Sequence, residues 1–222
     1  FHVKAAHVDA ALDGARSGPV AEGNVGGGTG MTCHGFKCGI GTASRRVDVE
    51  GRPYTVGVLV QANYGTRSSL RIAGVPVGEH LREGAAGHEA ASDGDNGSII
   101  IVVATDAPLL PHQLDRIARR AGMGLARMGS FAGNGSGDLF VAFSTANPRS
   151  MDDGVLRTAV FLENGRLDIL FDATVQATEE AIVNSMVAAR DMQGHAGTSA
   201  VALPHGVLTA LMKRYGRGST PR

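Results

Sequence analysis

Apolar residues alternate between two rhythms along this chain. Residues 40–50 and 54–62 read as strands joined by the turn-forming Gly51-Arg52-Pro53. The second is almost continuously apolar through Val56-Gly57-Val58-Leu59-Val60, which predicts a strand covered on both faces. Ser98-Ile99-Ile100-Ile101-Val102-Val103-Ala104 predicts a third strand, residues 138–145 a fourth, and Asp168-Ile169-Leu170-Phe171 a short fifth. Helical spacing takes over in residues 111–128, where Leu114, Ile117, Ala118, Ala121 and Leu125 form one stripe opposite arginines. Residues 8–16, 178–191 and 207–215 predict further helices, with Thr178 as the N-cap of the third of these four. Helices and strands do not alternate regularly, so the pattern argues for an α+β layered fold in a single domain over residues 1–222.

Two connections stand out. Residues 22–30 form a glycine-rich loop that lacks the lysine-serine/threonine ending of a phosphate loop and follows no strand. It reads as backbone that lets other elements approach closely. Residues 66–97 form a long polar connection, interrupted by Ile72-Ala73-Gly74-Val75 and ending in Asp93-Gly94-Asp95-Asn96-Gly97. Loops of that length are uncommon in compact domains and are usually functional or flexible.

Charge narrows the function classes. Twenty-one basic and 21 acidic residues balance, so no basic face for nucleic acid or anionic lipid is expected. Apolar runs are strand-sized, so no membrane span is expected either. The N-terminus lacks the features of a signal peptide. Cys33 and Cys38 have no second cysteine–histidine cluster to complete a zinc site. A disulfide across so short a loop is one reading, though it would add little stability. Free, partly buried thiols are the preferred reading, and with them a reducing cytoplasm, the periplasm staying open as the alternative. The eight histidines show no metal-ligand spacing, so no metal site is expected.

The chemistry concentrates where the long polar loop meets the third strand. Ser98 follows Gly97 and opens an apolar run, with no Gly-x-Ser-x-Gly elbow and no adjacent histidine. A serine hydroxyl needs a base to become a nucleophile. Cleavage of the chain between Gly97 and Ser98 would create one, because a free α-amine titrates at about 7.7–8.0, near the working pH. The alternative is an ordinary serine at a loop-to-strand junction. Asn63 ends a strand, where its amide N–H could stabilise an oxyanion or simply form a turn. Ser136 and Asp138, two positions apart before another strand, could orient an amine or hydroxyl or serve as turn residues.

Taken in order, several segments resemble the self-processing N-terminal-serine aminopeptidases, the family of L-aminopeptidase/D-alanyl-esterase-amidase and β-peptidyl aminopeptidase. They are Gly23-Asn24-Val25-Gly26-Gly27-Gly28-Thr29-Gly30-Met31, Gly39 to Arg45, Val60-Gln61-Ala62-Asn63, Gly97 to Pro111, Gly135-Ser136-Gly137-Asp138, Phe143 to Asn147 and Ala202-Leu203-Pro204-His205. The resemblance spans essentially the whole chain. It implies a four-layer αββα sandwich of the N-terminal-nucleophile-hydrolase type, cut at Gly97-Ser98 so that 1–97 belongs to an α subunit and 98–222 forms the β subunit. It makes Ser98 the nucleophile and Asn63 an oxyanion-hole donor, with Ser136 and Asp138 holding the nucleophile's amine and hydroxyl. Short peptides, amides or esters would lose an N-terminal residue through an acyl-enzyme, in a homo-oligomer of αβ pairs. The resemblance implies no metal or organic cofactor. The start of the chain would lie well inside the α subunit, with a tyrosine near the nucleophile and an amine-binding carboxylate expected upstream of Phe1. An acyltransferase or specialised biosynthetic amidase on the same fold, or a non-catalytic remnant, are the other readings.

Overall fold

A computed structural model describes residues 2–81, 97–148 and 158–218. Residues 82–96, including Asp93-Gly94-Asp95-Asn96, lie outside the described residues. Four strands form one mixed sheet: β3 (Ile40–Val49), β4 (Arg52–Asn63), β5 (Ser98–Thr105) and β6 (Leu139–Ser144), in that spatial order. The hairpin β3–β4 and the pair β4–β5 are antiparallel, whereas β5 and β6 run parallel. A parallel step needs a crossover, and helix α3 (Pro111–Arg127) supplies it. Ahead of the sheet lie helix α1 (Ala5–Asp13), exposed throughout, and a small hairpin of β1 (Thr32–Cys33) and β2 (Phe36–Lys37). The short helix α2 (Val77–His80) precedes β5, and α4 (Asp168–Val187), the pair β7 (Met192–Gln193) and β8 (Ser199–Ala200), and α5 (His205–Arg214) follow β6.

Helix α3 starts as its sequence dictates. Pro111 occupies the first turn, where a missing N–H costs nothing. Gln113 Oε1 reaches back to accept the Leu110 N–H at 2.9 Å. Ile117, Ala121 and Leu125 of its predicted stripe are buried against the sheet and α4.

The sheet is asymmetric. One face buries Val56, Val58, Val60 and Ala62 of β4 with Ile99, Ile101 and Val103 of β5, under α3 and α4. The other carries Ile100, Leu139, Val141 and Phe143, all exposed. Strand β4 therefore alternates between buried and half-buried positions, rather than being covered on both faces as its apolar run suggests. The described residues thus supply one helix layer and one sheet layer. An apolar sheet face left open is what a sheet-on-sheet sandwich requires for its second sheet.

Three expectations fail here. Residues 168–171 are not a strand but the first turn of α4. This helix is buried around most of its circumference, so it lacks the polar stripe that would reveal the helical period. Thr178 is consequently not an N-cap; it lies fully buried in mid-helix, and the helix ends at Val187. Cys33 and Cys38 are not free thiols but a disulfide, with Cα atoms 5.7 Å apart and no free cysteine remaining. The two-residue turn His34-Gly35 carries positive φ at both positions (50° and 72°), as a type I′ hairpin demands, and folds the pair together. The argument from free thiols to a reducing cytoplasm falls with it. No helix among the described residues is long and apolar enough to cross a membrane.

Two glycines let α4 seat. A Cβ at Gly41 would lie 1.9 Å from the Ala181 carbonyl oxygen of α4, and one at Gly124 would lie 2.6 Å from Thr178 Cβ. Helix backbone rests directly on both, so any side chain there would push α4 off the sheet or off α3. Gly41→Val is expected to destabilise the fold by about 3 kcal/mol, read as a lowered urea midpoint. A midpoint within experimental error of wild type would contradict this packing.

Candidate active site

Antiparallel pairing brings the end of β4 beside the start of β5, and their last rung is Asn63 opposite Ser98. Residues opposed in such a pair share a sheet face, with Cβ atoms about 4.5–5.5 Å apart. Ser98 lies on the same face as Ile100, so both polar side chains sit at one end of the open face, half-buried. Because β6 is parallel to β5, its start lies next to the start of β5. That places residues 136–138, which lead into β6, directly beside Ser98.

The contacts are specific. Ser98 Oγ accepts a hydrogen bond from the backbone N–H of Gly137 at 2.8 Å. Asp138 Oδ1 accepts the N–H of Ile99 at 3.1 Å and the hydroxyl of Ser136 at 2.6 Å. Asp138 thus grips the strand one residue after Ser98, and Ser136 holds the carboxylate. Among the described residues no side chain that could serve as a base hydrogen-bonds to Ser98 Oγ. Asn63 Oδ1 accepts the N–H of Thr32 at 3.1 Å, which turns the Nδ2 protons of the same amide away from the hairpin.

Gly97 is fixed by steric exclusion. A Cβ at this position would lie 1.9 Å from the Asn63 carbonyl oxygen and 2.8 Å from Tyr64 Cα. The peptide that joins it to Ser98 is therefore pressed against the strand end that carries Asn63.

The hairpin that orients Asn63 is itself tied down. His34 N–H donates to the Tyr64 carbonyl at 2.8 Å, Arg67 Nη2 to the Gly35 carbonyl at 2.7 Å, and the Arg67 guanidinium lies 3.4 Å from the Phe36 ring centroid. The glycine-rich loop closes over this region as anticipated. Gly23 exchanges backbone hydrogen bonds with Ile40, and Gly28 has no room for a side chain beside Gly39.

All five residues singled out in the sequence, Asn63, Gly97, Ser98, Ser136 and Asp138, come together. Sequence reasoning missed the backbone N–H groups of Gly137 and Thr32, because a main-chain donor has no residue signature. It also missed Lys37, a buried lysine whose only sequence signal is its place between Phe36 and Cys38. Among the described residues no cluster of histidine, cysteine, aspartate and glutamate could hold a metal ion.

Comparison with known proteins agrees with this geometry. The fold superposes on L-aminopeptidase D-Ala-esterase/amidase from Ochrobactrum anthropi, described as a prototype for the serine aminopeptidases and a variant of the Ntn hydrolase fold. The TM-score is 0.88 at 49% identity, covering 99% of this chain and 60% of that one. The fold is thus α+β, of the N-terminal-nucleophile-hydrolase type. Residues 1–200 match peptidase family S58, and the chain belongs to that family. It is similar to the β-peptidyl aminopeptidases BapA of Sphingosinicella microcystinivorans (52% identity, 98% of this chain) and Sphingosinicella xenopeptidilytica (49%, 93%). The chain spans 58% and 54% of the lengths of those two relatives.

Removing the Asp138 carboxylate leaves the Ile99 N–H and the Ser136 hydroxyl without their acceptor. Asp138→Ala is expected to cost about 1–3 kcal/mol of stability and to speed hydrogen exchange at Ile99. Unchanged exchange at that amide would show that the carboxylate does not hold β5.

Proposed function

We propose that the protein carrying this chain is a serine aminopeptidase that cuts itself between Gly97 and Ser98. It then removes N-terminal residues from short peptides, amides or esters. The observation that carries the reading is the setting of Ser98: opposite Asn63, held by a main-chain N–H, with no side-chain base among the described residues bonded to its hydroxyl. A serine so placed needs a base from elsewhere, and the amine released at Ser98 is the one its own backbone can supply.

Self-cleavage would begin with attack of Ser98 Oγ on the Gly97 carbonyl carbon. The C–N bond breaks, the carbonyl passes to Oγ as an ester, and the amine of Ser98 takes up the proton. Water then hydrolyses the ester, leaving a carboxylate on Gly97. In turnover the neutral amine takes the Oγ proton while Oγ attacks the substrate carbonyl. Asn63 Nδ2–H meets the negative charge that develops on the carbonyl oxygen. The Gly137 N–H fixes Oγ. Asp138, with Ser136 behind it, anchors the first peptide of the new N-terminal strand and with it the amine. The leaving amine departs with the proton, and water releases the acyl group by the same route.

Cleavage here would leave the sheet whole. Strands β4 and β5 fall on opposite sides of the cut but pair over eight rungs, from Val56–Thr105 to Asn63–Ser98. We infer that residues 1–97, as part of an α subunit, and residues 98–222, as the β subunit, stay associated through this ladder. The family resemblance supports assembly of the αβ pairs into a homo-oligomer. Hydrolysis is favoured over acyl transfer by the names of the relatives, and the assembled site counts against a non-catalytic remnant. Those names also point to substrates with β-peptidyl or D-alanyl character.

Mass spectrometry of the purified protein should find an N-terminus at Ser98, and Ser98→Ala should remain a single chain. Active enzyme that stays uncut would refute the reading. Asn63→Ala is expected to lower kcat by roughly 10²–10³. The amine must be neutral to accept a proton, so kcat/KM should fall as pH drops below about 8. A flat profile through that region would exclude the amine as base.

A further inference from the structure

Lys37 occupies an improbable place for a lysine. It is 2% exposed, on the strand of the disulfide-closed hairpin that faces the glycine-rich loop. Its Nζ donates to the carbonyl oxygens of Gly28 at 3.3 Å, Cys38 at 3.2 Å and Met31. An ammonium has three protons and no acceptor, so these three carbonyls occupy the whole group. Among the described residues no carboxylate forms an ion pair with it. Burial pushes its pKa below the ordinary lysine value. A buried cation without a counter-ion is costly, and loop anchoring alone does not call for a full charge.

The direction of its field gives that charge a use. The Met31 carbonyl and the Thr32 N–H belong to one peptide unit. Lys37 binds the oxygen of this unit, and its N–H donates to Asn63 Oδ1 at 3.1 Å. A continuous chain of donors and acceptors therefore runs from the ammonium through one peptide group to the Asn63 side-chain amide. We propose that Lys37 is a positioning residue for the Asn63 amide, pinning and polarising it so that its Nδ2–H binds the oxyanion more strongly. The inference rests on the reading of Asn63 as oxyanion-hole donor.

The electronic argument uses amide resonance twice. A cation on the Met31 oxygen draws electron density from the peptide nitrogen, so the Thr32 N–H becomes a stronger donor. That donor draws density toward Asn63 Oδ1, and the same resonance makes the Nδ2 protons more positive. Linked hydrogen bonds strengthen one another by roughly 10–30% per bond, and exclusion of water preserves the cation's field. The oxyanion exists only in the transition state. The benefit therefore falls on kcat and leaves KM nearly untouched.

Two substitutions in the intact protein separate charge from packing. Lys37→Gln keeps N–H donors but loses the charge, and Lys37→Met loses both. Lys37→Gln is expected to lower kcat about tenfold, part of the roughly 10²–10³ lost on deleting such a donor, with KM within about twofold. Rates are counted per molecule bearing Ser98 as N-terminus. In an Asn63→Ala background the same change should cost nothing further, because its route of action has gone. In NMR spectra of Lys37→Gln the Thr32 amide proton should move upfield as its bond to Asn63 weakens. Equal losses in both backgrounds, an unchanged kcat, or an unmoved Thr32 resonance would each overturn the proposal. If Asn63→Ala alone left kcat intact, the oxyanion reading itself would be what had failed. Should Lys37→Met not fold, Lys37→Gln and the Thr32 resonance still decide the matter.

Discussion

The register between β4 and β5 is the constraint on which the candidate site depends. Asn63 and Ser98 are 35 positions apart in sequence, yet they form the last rung of a continuous antiparallel ladder. Side chains alternate along a strand, so a slip of one residue would send Ser98 to the helix-covered face and bring Ile99 out. The buried run Ile99, Ile101 and Val103 forbids that slip, because those side chains fill the core under α3 and α4. Hydrophobic packing on one face thereby sets the placement of the Ser98 hydroxyl and the Asn63 amide on the other. The parallel pairing of β6 then brings Gly137 and Asp138 to the same corner without any further specification.

Close backbone contact is the second theme. Composition shows abundant glycine, and the structure shows where it is spent: under α4 at Gly41, between helices at Gly124, and at Gly97 against the end of β4. In each case backbone occupies the volume a Cβ would need. The first seats α4 directly on the sheet, and the second seats α4 directly on α3. The third holds the peptide before Ser98 in a single place.

Around Asn63 the fold uses main-chain groups and a buried charge where a side-chain network would be the more familiar device. The type I′ turn and the Cys33–Cys38 bridge fix a hairpin too short to be stable alone. The hairpin presents one N–H to the Asn63 oxygen, and Lys37 holds the opposite end of that peptide. Precision in a short irregular segment thus comes from a covalent tie, a cation saturated by carbonyls, and docking to residues 64–67. Nothing in this arrangement needs a long element.

The sequence by itself determined the strands of the sheet, the helix after it, the loop-to-strand serine and the small set of polar residues flanking strand ends. Those features are local: period-two apolar runs, a proline-started amphipathic helix and turn residues leave their mark in adjacent letters. It also carried a family resemblance specific enough to put Asn63, Ser98, Ser136 and Asp138 in one site. What it misread depended on surroundings. Residues 168–171 look like a strand because α4 is buried nearly all round, and burial erases the polar stripe that marks a helix. The cysteines look free because their spacing says nothing of the turn that folds them together. The donors to Ser98 and Asn63 are peptide N–H groups, which every residue but proline possesses and none advertises. Only the tertiary structure could select Gly137 and Thr32 from among them, and only it could show that a lysine in a short hairpin points inward, onto the peptide that orients Asn63.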